Sequence, residues 1–273
     1  MSETVAEQVA TASREGRIGT ITLARKGNNS IAADLGEALV NALEELEADP
    51  EVRVIVIRSA YEKYFSVGAD LSGLASVDRG DRAAMEKALR DTVGYIQGCF
   101  TRVEKSPKVT IAAINGHALG GGCELALACD YRIMVADGQA TIGQTEINLG
   151  IIPGAGGSQR MPRIIGRAKA LEMMLEGTRI TAEEAERIGL VSEAVVPDEF
   201  EARVRARAEK LAAGAPLAQA LTKRALFEGY GKERIEDALE VEMVAFVEAA
   251  MTDDAMIGIM SFLSKQKPEF TGK

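Results

Sequence analysis

Tryptophan is absent from this sequence, histidine occurs once, and aromatic residues make up only 4% of it. Few aromatics argue against stacking platforms for single-stranded nucleic acid. His117 is the only imidazole. A multi-histidine metal site is therefore excluded, and a Ser-His-Asp triad would have to use that one residue. The cysteines are Cys99, Cys123 and Cys129, an odd number without zinc-type spacing. They read as reduced thiols packed as small hydrophobes. No apolar run reaches the roughly 20 residues of a membrane-spanning helix. The N-terminal MSETVAEQVATASREG carries acids and lacks both a secretory h-region and an Arg-rich transit pattern, so a cytoplasmic location is expected. A net charge of −9 disfavours nucleic acid as a partner. It still allows an anionic ligand held by a local basic patch or by backbone N–H groups.

The chain has 273 residues, 47% of them hydrophobic and 27% charged. That suffices for one large domain with an appendage, or for two domains. Only the first dozen residues approach the composition of a disordered segment. RIGTITLA (17–24) alternates like a strand. In 33–50, Leu35, Leu39, Leu43 and Leu46 form one helical stripe that stops at Pro50. VRVIVIRS (52–59) and KVTIAAIN (108–115) are nearly continuous apolar runs, as in buried strands. A long helix is expected from Arg82 to Lys105, a short one from CELALACD, a strand from YRIMVAD and another from LVSEAVVP. Thr181 and Glu184 have capping-box spacing. From Asp198 onward the pattern is helical, with breaks at Gly214-Ala215-Pro216, Gly229-Tyr230-Gly231 and Thr252-Asp253-Asp254. Alternating strands and helices predict parallel pairing over the first 196 residues.

Three stretches are candidates for chemistry. GHALGGGCE (116–124) places three glycines between a strand and a helix, with Glu124 in the first turn. Taken alone, this is equally a tight packing turn or a set of backbone N–H groups open to a negative ligand. FSVGADL (65–71) follows the strand 52–59. GQTEINLGIIPGAGGSQR (143–160) isolates Glu146 among apolar residues and glycines. Buried beside a second carboxylate, such a group gains a raised pKa and can act as acid or base near neutral pH. Neither G-x-G-x-x-G nor a Walker G-K-[ST] is present, which disfavours nucleotide binding.

In order and spacing, these three stretches resemble the enoyl-CoA hydratase/isomerase (crotonase) family, from about Ile18 to Phe270. The resemblance implies an α/β fold, a crotonase-like spiral of strand-strand-helix repeats over residues 1–196 that carries the acyl-CoA site. It also implies a helical region over 197–273 for oligomerisation, as a homo-trimer or a dimer of trimers. It implies an oxyanion hole from the N–H groups of Ala69 and Gly121, which would hold the thioester oxygen of an acyl-CoA. Glu124 and Glu146 would be the catalytic pair. Other family members usually keep one carboxylate, so the retained pair points to a hydratase that adds water to a 2-enoyl-CoA. The division of roles expected is Glu124 activating water and Glu146 exchanging the proton at C2. Lys63, Phe65, Asp70, Leu71, Ser72, Phe262 and Lys265 match substrate or CoA positions, and Arg25 and Lys26 are equally a solvated turn. No metal or cofactor is implied, since coenzyme A enters as part of the substrate; no nucleic acid or membrane partner is implied either. An isomerase, an alicyclic or dienoyl-CoA hydratase, and a non-catalytic RNA-binding homologue remain alternative readings. The sequence departs from the family's pattern at RKGNNSIAADL, at Thr145 in GQTE, and in a longer 130–146 segment expected to form a hairpin extension near Asp137-Gly138. His117 is expected to be structural, and the acyl pocket is expected to form from 72–102.

Overall fold

The structure is a computed structural model and describes residues 8–70, 72 and 80–273. Two sheets organise it. The larger has six strands: β1 (Ala10–Glu15), β2 (Ile18–Leu23), β3 (Val54–Ser59), β5 (Val109–Ile114), β7 (Tyr131–Val135) and β10 (Glu193–Val195), adjacent in that order. All its pairings are parallel except the β1–β2 hairpin. A smaller sheet holds β4 (Tyr64–Ser66), β6 (His117–Leu119), β8 (Thr141–Gly143) and β9 (Ile180–Thr181). Successive turns of the chain put a long strand in the first sheet, then a short one in the second, as a spiral requires. The continuous apolar strands are the central ones: every residue of β5 is buried.

The first helix, α1 (Ala33–Ala48), buries Leu35, Leu39, Leu43 and Leu46, the predicted stripe. Next come α2 (Arg82–Glu104), α3 (Gly121–Ala128), α4 (Gly157–Ile165), α5 (Arg167–Glu176) and α6 (Ala182–Arg187). Thr181 Oγ1 accepts from the Glu184 N–H, but the Glu184 carboxylate pairs with Arg187, so the capping box is only half made. The C-terminal helices are α7 (Pro197–Ala212), α8 (Pro216–Tyr230), α9 (Ile235–Ala250) and α10 (Asp253–Ser264). Their breaks fall where the sequence places them. The first of them, α7, lies on the large sheet and buries Phe200, Val204, Ala208 and Ala212. By contrast, α8 buries no residue and α9 only Ala245.

Two expectations need correction. Of the first dozen residues, 1–7 lie outside the described ones, while 10–12 belong to the edge strand β1, whose register with β2 runs from Ala10–Leu23 to Glu15–Ile18. The segment at Asp137-Gly138 is not a hairpin. Asp137 Oδ1 accepts from the N–H groups of Gln139 and Ala140, a turn that carries the chain from β7 in one sheet to β8 in the other. His117 is structural as expected. Its Nδ1 accepts from the Thr141 N–H at 3.1 Å, which pins β6 to β8, and burial lowers its pKa.

Candidate active site

The glycine triplet joins β6 to α3, and each glycine is required for a different reason. Gly120 has φ +52°, and a Cβ there would lie 2.9 Å from Glu146 Oε1. A Cβ on Gly122 would lie 2.3 Å from the Ser66 carbonyl oxygen, a backbone atom that cannot yield. On Gly121 a Cβ would press on the flexible end of Ile31 at 2.9 Å and would stand 3.4 Å from Gly68 Cα and 3.5 Å from the Ala69 nitrogen. The Ala69 and Gly121 amides are therefore close neighbours. Among the described residues neither has a hydrogen-bond acceptor. The loop bearing Ala69 is held on both sides of that amide: Ile31 N–H donates to the Gly68 oxygen and Asp70 N–H to the Ile31 oxygen. At Gly68, φ is +93° and a Cβ would press on the Leu119 carbonyl oxygen at 2.8 Å. The two loops meet closely, which leaves two N–H groups side by side, an arrangement chemically able to donate to a negative ligand atom.

Glu124 is buried on the first turn of α3. Its Oε1 accepts from the N–H groups of Ala155 and Gly157, both at 2.7 Å. Burial raises its pKa, and these two amides oppose the rise. Glu146 opens a single 3₁₀ turn, Glu146–Leu149, after β8. Burial, with the Glu124 charge adding to it, pushes the Glu146 carboxyl up to about 7. With its amide nitrogen turned toward that carboxylate, Gln144 donates to both Glu146 oxygens at 3.0 and 3.1 Å. One carboxylate is thus pinned by backbone donors and the other is poised near neutrality, a pairing suited to proton transfer.

The remaining predicted positions divide. Asp70 is held by Arg25 Nη2 at 2.9 Å and by the Ser72 hydroxyl at 2.6 Å, and these contacts lower its pKa. Arg25 also pairs with Asp34, so it is a clamp between loops rather than a solvated turn residue, while Lys26 is exposed. Lys63 is exposed with its ammonium over the Tyr64 ring. Phe65 needs correction as a contact residue: it is fully buried in the core, so its side chain has no face to offer a ligand. Leu71 lies outside the described residues, as does 73–79 of the expected acyl pocket. Phe262 is 83% exposed on α10 and Lys265 follows that helix, also exposed. Among the described residues no hydrogen bond or ion pair ties either to the glutamates. The sequence reading passed over Gln144 and the 155/157 amides. Both lie inside a quoted motif, but only folding shows which carboxylate they face.

The fold and this site define a spiral α/β enzyme frame with paired buried carboxylates beside two neighbouring backbone N–H groups. The chain belongs to the enoyl-CoA hydratase/isomerase family, whose model matches residues 13–273. It is 37% identical over 257 residues to a short-chain-enoyl-CoA hydratase of Clostridium acetobutylicum, covering 94% of this chain and 95% of that protein. It is 37% identical over 248 residues to a crotonyl-CoA hydratase of Syntrophomonas wolfei, covering 91% and 92%. Among solved structures, an enoyl-CoA hydratase of Bacillus anthracis superposes with a TM-score of 0.88 at 36% identity, covering 97% of this chain and all of that one.

Proposed function

We propose that the protein is an enoyl-CoA hydratase, a hydro-lyase that adds water reversibly across the double bond of a 2-enoyl-CoA. The observation that supports this most is the Glu124–Glu146 pair beside the Ala69 and Gly121 amides. In the hydration direction, Glu124 takes a proton from water as the water oxygen bonds to C3. The C2–C3 π electrons move toward the thioester, and the oxygen gains charge as an enolate. Two N–H donors at that oxygen stabilise the charge, each typically by about 2.7–4 kcal/mol. Glu146, whose pKa of about 7 keeps a substantial protonated fraction at neutral pH, delivers its proton to C2. The pair then exchanges one proton to reset, and such a pair titrates as a unit. This chemistry asks for no metal or redox cofactor, and coenzyme A is the handle of the substrate. Asp70 and Ser72 adjoin the amide loop and are assigned to the CoA path with Lys63 and Leu71. Nucleic acid and membrane are not partners in this reading.

The same reading includes a homo-trimer, alone or doubled, with Phe262 and Lys265 of one subunit reaching a neighbour's CoA. Its support is the apolar surface of α9 and α10, where Leu239, Met243, Phe246, Val247 and Phe262 are all more than half exposed. A panel of 2-enoyl-CoA thioesters of different chain length and ring content tests the function, followed by loss of the enoyl thioester absorbance. Hydration of at least one is expected. Double-bond migration without hydration would replace the hydratase reading with an isomerase one. RNA retardation without turnover would replace both.

A further inference from the structure

The loop that presents two amides to Glu124 is gripped from its far side. Ala155 donates its N–H to Glu124 Oε1 at 2.7 Å, and its carbonyl accepts from Arg160 Nη1 at 2.9 Å. The other arm of that guanidinium donates from Nη2 to Glu104 Oε2 at 2.7 Å and to Thr101 Oγ1 at 3.3 Å, both near the end of α2. This ion pair is mostly out of water, with side chains 12% and 24% exposed, unlike a surface pair that fixes little. The fold makes room for it at Gly156, where φ is +115° and a Cβ would lie 2.0 Å from Nη1. Arg160 is thus the link between the loop that holds Glu124 and a helix on the other side of that loop.

We propose that Arg160 is a positioning residue for Glu124: it locks the 155–157 amides against α2 and so sets the aim of the carboxylate. It touches no reacting atom. The proposal rests on the reading of Glu124 as the group that activates water. Among the described residues, the groups facing Glu124 are Glu146, the Arg160 guanidinium, the neutral Cys123 thiol and the backbone amides of 155–157. Arg160 is the cation in that set, and its charge favours the ionised carboxylate. A structural staple would affect only stability. A positioning residue next to a charge-sensitive base also affects turnover and its pH dependence.

The test uses the full-length protein with Arg160→Met, Arg160→Lys, Glu104→Gln and Glu124→Gln. It measures kcat, KM and melting temperature, and the pH profile of kcat on the best enoyl-CoA. In Arg160→Met, kcat should fall roughly 10–100-fold, the range for misplacing a reacting group by a fraction of an ångström to one ångström, with KM nearly unchanged. The acidic limb of its profile should move to higher pH, because a positive charge beside the base is gone. Arg160→Lys keeps the charge but cannot bridge the Ala155 carbonyl and Glu104 together. It should hold the acidic limb in place while kcat stays low. Glu104→Gln should give a smaller loss of kcat. Wild-type kcat and an unmoved acidic limb in Arg160→Met, with only a lower melting temperature, would overturn the proposal. If that variant does not fold, wild-type kcat in both Arg160→Lys and Glu104→Gln overturns it instead. Failure of the underlying reading looks different: Glu124→Gln would itself hydrate at the wild-type rate.

Discussion

Glu146 and Glu124 differ in how their charge is held, and that difference carries two predictions. Glu124 Oε1 is fixed by two backbone donors, whereas Glu146 faces the Gln144 amide and the Glu124 charge. Replacing either carboxylate by its amide should lower hydration by roughly 10²–10⁴-fold with the fold intact, the usual range for a general acid or base. Turnover assays paired with circular dichroism check it, and near wild-type rates in either variant would remove that residue from the mechanism. The second prediction concerns stability. Glu146 goes from an ordinary 4.5 to about 7 on folding. Between those values the folded chain binds more protons than the unfolded one, so stability falls as pH rises through that window. Glu146→Gln, which cannot ionise, should therefore unfold at a higher temperature than the parent at about pH 8, with the gap closing toward about pH 5. Thermal unfolding at both pH values reads this directly, and a gap of constant size would mean that the carboxylate is not strained by burial.

At the scale of elements, the turn between β6 and α3 separates packing from chemistry within three residues. Gly122→Ala should fail to fold stably, because its methyl would press on the Ser66 backbone at 2.3 Å. Gly121→Ala meets a movable Ile31 methyl and should remain folded. Its Cβ would stand 3.5 Å from the Ala69 nitrogen, where it narrows the space between the two amides and should depress turnover strongly. Melting curves and hydration assays on the pair discriminate. A folded Gly121→Ala of normal activity would reduce the triplet to a packing turn. A run of three glycines marks this position in the sequence. Which glycine serves backbone approach and which serves the ligand depends on Ser66, Ile31 and Ala69, residues 52 to 90 positions away.

For the whole molecule, the helices after Pro216 leave many large apolar side chains exposed. Phe246 is 70% exposed, Val247 55% and Met251 83%, on helices that bury little against the core. Large exposed apolar surface of this kind marks interaction sites when it is contiguous. On the proposed assembly, Phe246→Glu should shift the protein from trimers or hexamers to monomers in light scattering at micromolar concentration. A wild-type monomer there would refute the assembly. The C-terminal tail shows that these helices are nonetheless fixed to their own core. Buried Asp254 accepts from the Thr271 and Gly272 N–H groups, and Arg53 on the N-terminal side of β3 donates to the Phe270 carbonyl.

Local physics settled much of this protein without reference to the fold. The leucine stripe of α1, the continuous strands β3 and β5 and the helix breaks after residue 212 follow from periodicity and from glycine and proline chemistry. The glycine run and the lone Glu146 among apolar residues are visible in one dimension, but it is the resemblance of three ordered motifs to a known family that singles out Glu124, Glu146, Ala69 and Gly121. Strands of two or three residues, such as β4, β6, β8 and β9, are too short to show a period, so the second sheet emerged only with its long-range pairings. Tertiary structure alone placed Phe65 in the core, turned Arg25 inward onto Asp34 and Asp70, and joined Glu124 to Ala155, Gly157 and, through them, Arg160. Each of these depends on partners brought together across 9 to 45 positions of chain in distinct elements. Spacing along a sequence carries no record of which donor will face which carboxylate.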